Sequence, residues 1–141
     1  MTVLATETAS TTAGRGGRAT SADGKINLEL SPPGSNGPGT NPEQLFAAGY
    51  SACFGGAVLA AAGQEKVALK GSDMKVTATV RLNKGEKGFF VDVTLDTELA
   101  GVEQAKAAAL VAKAHTICPY SNATRGNIEV KLLANGKPVR G

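Results

Sequence analysis

The chain has 141 residues, 42% hydrophobic, 4% aromatic and 19% charged, with a net charge of +3, one histidine and two cysteines. That length and apolar content suit one domain spanning residues 1–141, with a real core and much to gain from pairing with a second copy. Two cysteines and one histidine are too few for a disulfide-stapled secreted scaffold or a zinc cage, and scattered basic residues without a tryptophan offer nucleic acid neither a charged stripe nor a stacking platform.

The N-terminus, MTVLATETAS, lacks a basic segment followed by an apolar run, and no stretch of about eighteen consecutive apolar residues offers a membrane span. A cytoplasmic protein is expected. Alternation of Thr and Val with small residues from Val3 to Thr12, and of Ile26, Leu28 and Leu30 with polar residues, predicts an N-terminal β-meander around the turn Ala22-Asp23-Gly24. The segment SPPGSNGPGT (31–40) is too rich in Gly and Pro for regular structure and reads as an exposed connection.

A first helix is expected from Pro42 to Gly63, with Thr40 or Asn41 as cap and Phe46, Tyr50, Cys53 and Ala57 on one buried stripe. Met74–Leu82 and Phe89–Leu95 read as a hairpin. A second helix follows over Val102–Ile117, its inner face drawn through Val102, Ala105, Ala109, Ala112 and Ile117, and it must stop at Cys118 because Pro119 comes next. Ile128–Leu133 reads as a last strand and the tail ANGKPVRG as loosely held. The order is βββ, α, ββ, α, β, an α+β arrangement.

The chemistry centres on the cysteines. Cys53 lies mid-helix among small residues, whereas Cys118 lies at a helix end in a loop-like setting. A thiol that attacks first needs a fixed, partly desolvated place, and one that resolves the product needs mobility; the pattern meets both needs. Two other readings stand beside a redox pair: inert cysteines, or a static bridge between positions 65 apart worth roughly 4 kcal/mol, which a reducing compartment disfavours.

Burial alone raises a thiol pKa and makes a poor nucleophile, so a cation is required. An arginine about 4 Å away supplies roughly 4 kcal/mol at an effective dielectric of about 20, or about three pKa units, enough to offset burial. Arg15 and Arg18 in GRGGRATS are the candidates, with solvated arginines beside a β-bulge as the other reading. Glu43 reads as part of a Thr40-x-x-Glu43 capping box. His115, in the last turn of the second helix, reads as a surface cap suited to the helix dipole. Phe46, Tyr50 and Phe54 flank Cys53 and make any pocket there apolar.

TNPEQLFAAGYSACF (40–54) and CPYSNATRGN (118–127) together resemble the signatures of the Ohr/OsmC family, specifically its organic hydroperoxide resistance branch, and GRGGRA before the Ala-Asp-Gly turn extends the likeness over nearly the whole chain. The resemblance implies an OsmC-like α+β fold, antiparallel sheets around two long helices in an intertwined homodimer. It implies that Cys53 is the peroxidatic cysteine, Cys118 the resolving one, Arg15 the arginine that contacts the reactive sulfur and Glu43 the carboxylate that holds it. Gly16 stands where the family usually carries a polar or acidic residue. A thiol peroxidase acting on organic hydroperoxides follows, with no bound cofactor and a dithiol such as dihydrolipoamide, or a lipoylated protein, as reductant. An OsmC-type peroxidase of broader substrate use, a redox sensor built on the same pair and a binding module that ignores the cysteines are the competing classes.

Helix geometry adds an expectation about assembly. Glu43 and Cys53 stand ten positions apart, about 15 Å along a continuous helix, so one arginine cannot easily touch both. The glutamate beside a given thiolate should come from a second chain, in a twofold dimer with shared sites.

Overall fold

The computed structural model describes residues 1–140 and divides into two compact units, Met1–Leu45 and the chain from Phe46 onward. In the first unit β1 (Ala9–Thr12), β2 (Arg18–Ser21) and β3 (Asn27–Glu29) form an antiparallel sheet in the order β1-β2-β3. The meander is shorter than its alternation predicts, since residues 1–8 lie in no strand and of them only the Thr8 carbonyl is tied to the hairpin, accepting the Ala22 N–H at 2.9 Å. A single 3-10 turn, Gly14–Gly16, joins β1 to β2 and carries Arg15 at its tip. That turn needs Gly17: a Cβ there would lie 1.5 Å from the Thr12 carbonyl oxygen.

The second turn is set by Asp23, whose Oδ1 accepts from the Ser21 hydroxyl at 2.6 Å and from the Lys25 N–H at 3.0 Å. The Gly/Pro connection is clamped at its base. Thr40 donates its N–H to the Glu29 carbonyl at 2.9 Å and accepts at its own carbonyl from the Ser31 N–H at 2.8 Å. Ala19 and Leu30 are the buried apolar residues of this unit.

Helix α1 runs Pro42–Gln64. Its cap is Asn41, whose Oδ1 takes the Gln44 N–H at 2.9 Å, with Pro42 in the first turn where a missing N–H costs nothing. At the far end Lys66, with φ 57°, reverses the chain and lets the Val67 N–H return to the Ala62 carbonyl at 2.8 Å. The buried face is Tyr50, Phe54, Ala57, Val58, Ala61 and Ala62, with Phe46 and Cys53 at its edge. Among the described residues α1 is the one helix with the length and composition of a membrane span, and one face of it packs in the core of the second unit.

In the second unit β4 (Met74–Gly85) and β5 (Gly88–Leu99) make a long hairpin closed by Glu86 and Lys87, longer than expected because the alternation continues through Asp96, Thr97, Glu98 and Leu99. Val93, Leu95, Thr97 and Leu99 point inward, each fully buried apolar side chain contributing about 1.5–3 kcal/mol.

Helices α2 (Gln104–Ile117) and α3 (Pro119–Thr124) then cross to β6 (Val130–Ala134), followed by β7 (Lys137–Val139). The sheet order is β4-β5-β6-β7, and β6 runs parallel to β5 rather than antiparallel, because the intervening helices return the chain to the starting end of the strand. As far as Val139 the tail is not loose, and Gly141 lies outside the described residues. Asn135 and Gly136, at φ 51° and 77°, form a tight turn onto β7, and Asn135 Oδ1 accepts the Leu99 N–H at 2.8 Å.

Glu103 caps α2, its carboxylate accepting from the N–H groups of Ala105 and Lys106. The inner face of α2 is Ala107, Leu110, Val111, Ala114 and His115; Ala105 and Ala109, expected inside, are exposed. Leu110 and Val111 decide the rotation of the helix because alanines have little area to bury. Pro119, expected to begin a loop, instead occupies the first turn of α3.

Candidate active site

Two clusters of chemistry-bearing residues form, one in each unit. In the first, Arg15 Nη1 lies 2.9 Å from both carboxylate oxygens of Glu43. Glu43 is free for this because the capping-box arrangement is not adopted: Asn41 caps the helix, and the Thr40 hydroxyl donates to Gln44 Oε1 at 2.6 Å. Arg18 takes no part and donates to Asn27 Oδ1 at 2.7 Å on β3. Half of the Arg15 side chain is exposed, so the pair adds at most about 1 kcal/mol to stability. Its effect is to aim the guanidinium, which makes no other side-chain hydrogen bond among the described residues.

In the second unit the Cys118 and Cys53 sulfurs lie 3.3 Å apart, within reach of an S–H···S contact. Both cysteines are free, and a sulfur–sulfur bond of about 2.05 Å would require an approach of little more than one ångström. Cys53 has the fixed, partly desolvated place expected of it, whereas Cys118 does not have the mobile, loop-like one. Cys53, one helix face removed from the core, is partly reached by solvent, whereas Cys118 has no exposed surface and is held at the joint between α2 and α3. The resolving position is thus fixed from the start rather than delivered by a loop.

Burial pushes the Cys53 thiol above its ordinary range, a hydrogen bond from the Tyr120 backbone N–H pulls it back in part, and the neighbouring Cys118 sulfur adds to the rise. No cation is among these influences.

Of the three aromatic residues expected to line a pocket, Tyr50 and Phe54 have no exposed surface and belong to the core; Phe46 alone is partly open. Tyr120 joins it in an aromatic row. Phe46 and Tyr50 meet edge-on with centroids 6.0 Å apart, and the Tyr50 and Tyr120 rings lie 5.8 Å apart. Gly49 makes room for this row, since a Cβ there would lie 3.2 Å from the Tyr120 ring.

His115 is not a surface cap. It is buried, and burial followed by the charge of Arg125 lowers its pKa, so the imidazole is neutral near pH 7. Its Nδ1 lies 2.9 Å from Ser121 Oγ, which lies 2.9 Å from the Tyr50 hydroxyl, which in turn lies 3.1 Å from Thr124 Oγ1. The Arg125 guanidinium donates to the His115 carbonyl. Tyr50, His115, Ser121 and Thr124 thus form one chain of polar contacts across the helices that carry or flank the cysteines, with the Tyr120 ring packed on Tyr50, and the sequence reading found none of these roles. The available signal was spacing: Tyr50 stands three residues before Cys53, and His115 and Ser121 three residues either side of Cys118.

A fold of three helices and two sheets carrying a close cysteine pair and an arginine–carboxylate pair defines an OsmC-like thiol protein, and the comparisons make that class specific. The family model described as OsmC-like protein matches residues 34–133. An organic hydroperoxide resistance protein of Xanthomonas axonopodis pv. citri is 48% identical over 134 residues, covering 92% of this chain and 94% of that protein. The organic hydroperoxide resistance protein OhrB of Bacillus subtilis is 44% identical over 124 residues, covering 84% of this chain and 89% of that protein. The crystal structure of the same Bacillus subtilis OhrB superimposes with a TM-score of 0.87 at 41% identity, covering 94% of this chain and 99% of that one. The chain belongs to the Ohr/OsmC family, in its organic hydroperoxide resistance branch.

Proposed function

We propose that this chain is a thiol peroxidase that reduces organic hydroperoxides to alcohols. The observation that carries the reading is the partly exposed Cys53 sulfur with a buried Cys118 thiol directed at it from 3.3 Å. The Cys53 thiolate attacks the terminal peroxide oxygen, the O–O bond breaks, and the departing alkoxide takes a proton to become ROH. Cys53 is left as a sulfenic acid. Cys118 sulfur then displaces the hydroxyl, forming the Cys53–Cys118 disulfide and releasing water. A dithiol, with a dihydrolipoyl group as the candidate, supplies two electrons to restore both thiols and leaves as its own disulfide. This cycle suits the cytoplasm, where thiols are kept reduced.

The attacking thiolate needs a cation, and Arg15, aimed by Glu43, is the candidate. Ten residues of continuous helix separate Glu43 from Cys53. The Arg15–Glu43 pair of a second copy therefore serves each thiolate in a homodimer. An exposed stripe of small residues on α1, including Ala48, Ala52, Gly56 and Ala60, supports close packing between copies.

Phe46 and the half-exposed Tyr120 ring are the apolar surface offered to an alkyl group, at about 0.8 kcal/mol per buried methylene. Steady-state assays with dihydrolipoamide should give a kcat/KM at least about tenfold higher for tert-butyl and fatty-acid hydroperoxides than for hydrogen peroxide. Equal values for the three would remove the organic substrate from the reading, and no alcohol from the organic hydroperoxides together with no loss of hydrogen peroxide would remove the peroxidase.

A further inference from the structure

The contacts of the buried Tyr50, Ser121 and Thr124 hydroxyls fix where their protons are. The Thr124 hydroxyl lies 3.3 Å from the Ser121 carbonyl oxygen, which can only accept, so Thr124 donates there. Three contacts remain, Tyr50 to Thr124, Ser121 to Tyr50 and His115 to Ser121, at 3.1, 2.9 and 2.9 Å. With the Thr124 proton used, Tyr50 donates to Thr124, Ser121 donates to Tyr50, and only a proton on His115 Nδ1 completes the chain. The imidazole must therefore carry its proton on Nδ1.

The relay spans both cysteine-bearing segments. Tyr50 is on α1 one turn before Cys53; His115 and Ser121 lie on α2 and α3, on either side of Cys118. Between them they staple the α2–α3 joint to α1, and Arg125 holds the His115 carbonyl from the far side of the same joint. The sulfurs carried by these helices lie 3.3 Å apart. Attack of one sulfur on another depends steeply on such alignment, because holding the reactants in place replaces an entropic cost of bringing them together.

We propose that His115, as its Nδ1–H tautomer, is the positioning residue of the resolving step: through Ser121 and Tyr50 it holds Cys118 in line with the Cys53 sulfenic acid. The inference rests on the two-cysteine cycle proposed above. His115 touches neither peroxide nor sulfur. Its loss leaves the attack on peroxide alone and slows the step in which Cys118 sulfur displaces hydroxyl from Cys53 and water leaves.

The test is a rapid-mixing experiment with one equivalent of tert-butyl hydroperoxide, following peroxide loss, sulfenic acid by dimedone trapping and disulfide by thiol-blocking mass spectrometry. His115→Leu should consume peroxide within about twofold of the unaltered protein, close the disulfide at least about tenfold more slowly and accumulate the dimedone adduct. His115→Asn, whose amide N–H can take the place of Nδ1–H, should restore closure to within about threefold. Nitrogen-15 NMR of the unaltered reduced protein should show a protonated Nδ1 and an unprotonated Nε2.

Closure at the unaltered rate in a folded His115→Leu protein overturns the proposal, as does an Nε2–H tautomer. Should His115→Leu not fold, Ser121→Ala breaks the same relay and the same slowing is expected, with the tautomer measured independently of any substitution. Peroxide consumption by the unaltered protein without any Cys53–Cys118 disulfide is a different failure, which removes the two-cysteine cycle and the positioning role with it.

Discussion

Cys53→Ser is expected to abolish hydroperoxide reduction, whereas Cys118→Ser is expected to consume about one equivalent and stop, trapped as the sulfenic acid or a more oxidised sulfur. The asymmetry follows from exposure. A peroxide can reach Cys53, and Cys118 has no surface through which it could be reached. Replacing Cys53 removes the nucleophile; replacing Cys118 leaves the first step intact and removes the only thiol positioned to close it. A peroxide assay under single-turnover conditions, followed by mass spectrometry of the modified cysteine, separates the two. An equal burst from both variants would contradict the assignment.

The second large effect concerns assembly. Glu43→Ala frees Arg15 from its carboxylate partner, and a thiolate without a placed guanidinium forgoes roughly 4 kcal/mol at an effective dielectric of about 20. Cys53→Ser chains and Glu43→Ala chains are each expected to be inactive or nearly so. Mixed under conditions that permit subunit exchange, they should recover about a quarter of the unaltered activity, because half the dimers are mixed and each of those has one complete site. Exchange verified by mass spectrometry without recovered activity would show that each chain builds its own site.

Much of the fold was legible in patterns that burial imposes. The period-two alternation of β4 and β5, the helical run from Pro42 and the stop at Pro119 each follow from local chemistry. What escaped was set by tertiary choices. The alanines of α2 could not say which face turns inward, and Leu110 and Val111 settled it. The C-terminal hairpin was present in Asn135-Gly136, a strong turn signal obscured by the small polar residues around it.

The site divides in the same way. Both cysteines, Arg15 and Glu43 were legible as residue types in specific contexts, and the structure pairs Arg15 with Glu43 and Cys53 with Cys118. The choice of Glu43 over a cap depended on Asn41 reaching the Gln44 N–H first, a competition that Thr40-x-x-Glu43 does not display. Tyr50 and His115 escaped because each looks ordinary alone, one a core aromatic and the other a helix-end cation. Only the folding of α3 beneath α1 brings Ser121 between them.

The most direct test of the central claim is the intact mass of the reduced protein after one equivalent of an alkyl hydroperoxide, read together with the alcohol released. The account predicts stoichiometric alcohol, a mass lower by the two thiol hydrogens and a single Cys53–Cys118 link within one chain. Alcohol formation without that link, or a protein unchanged in mass with its peroxide intact, would contradict it.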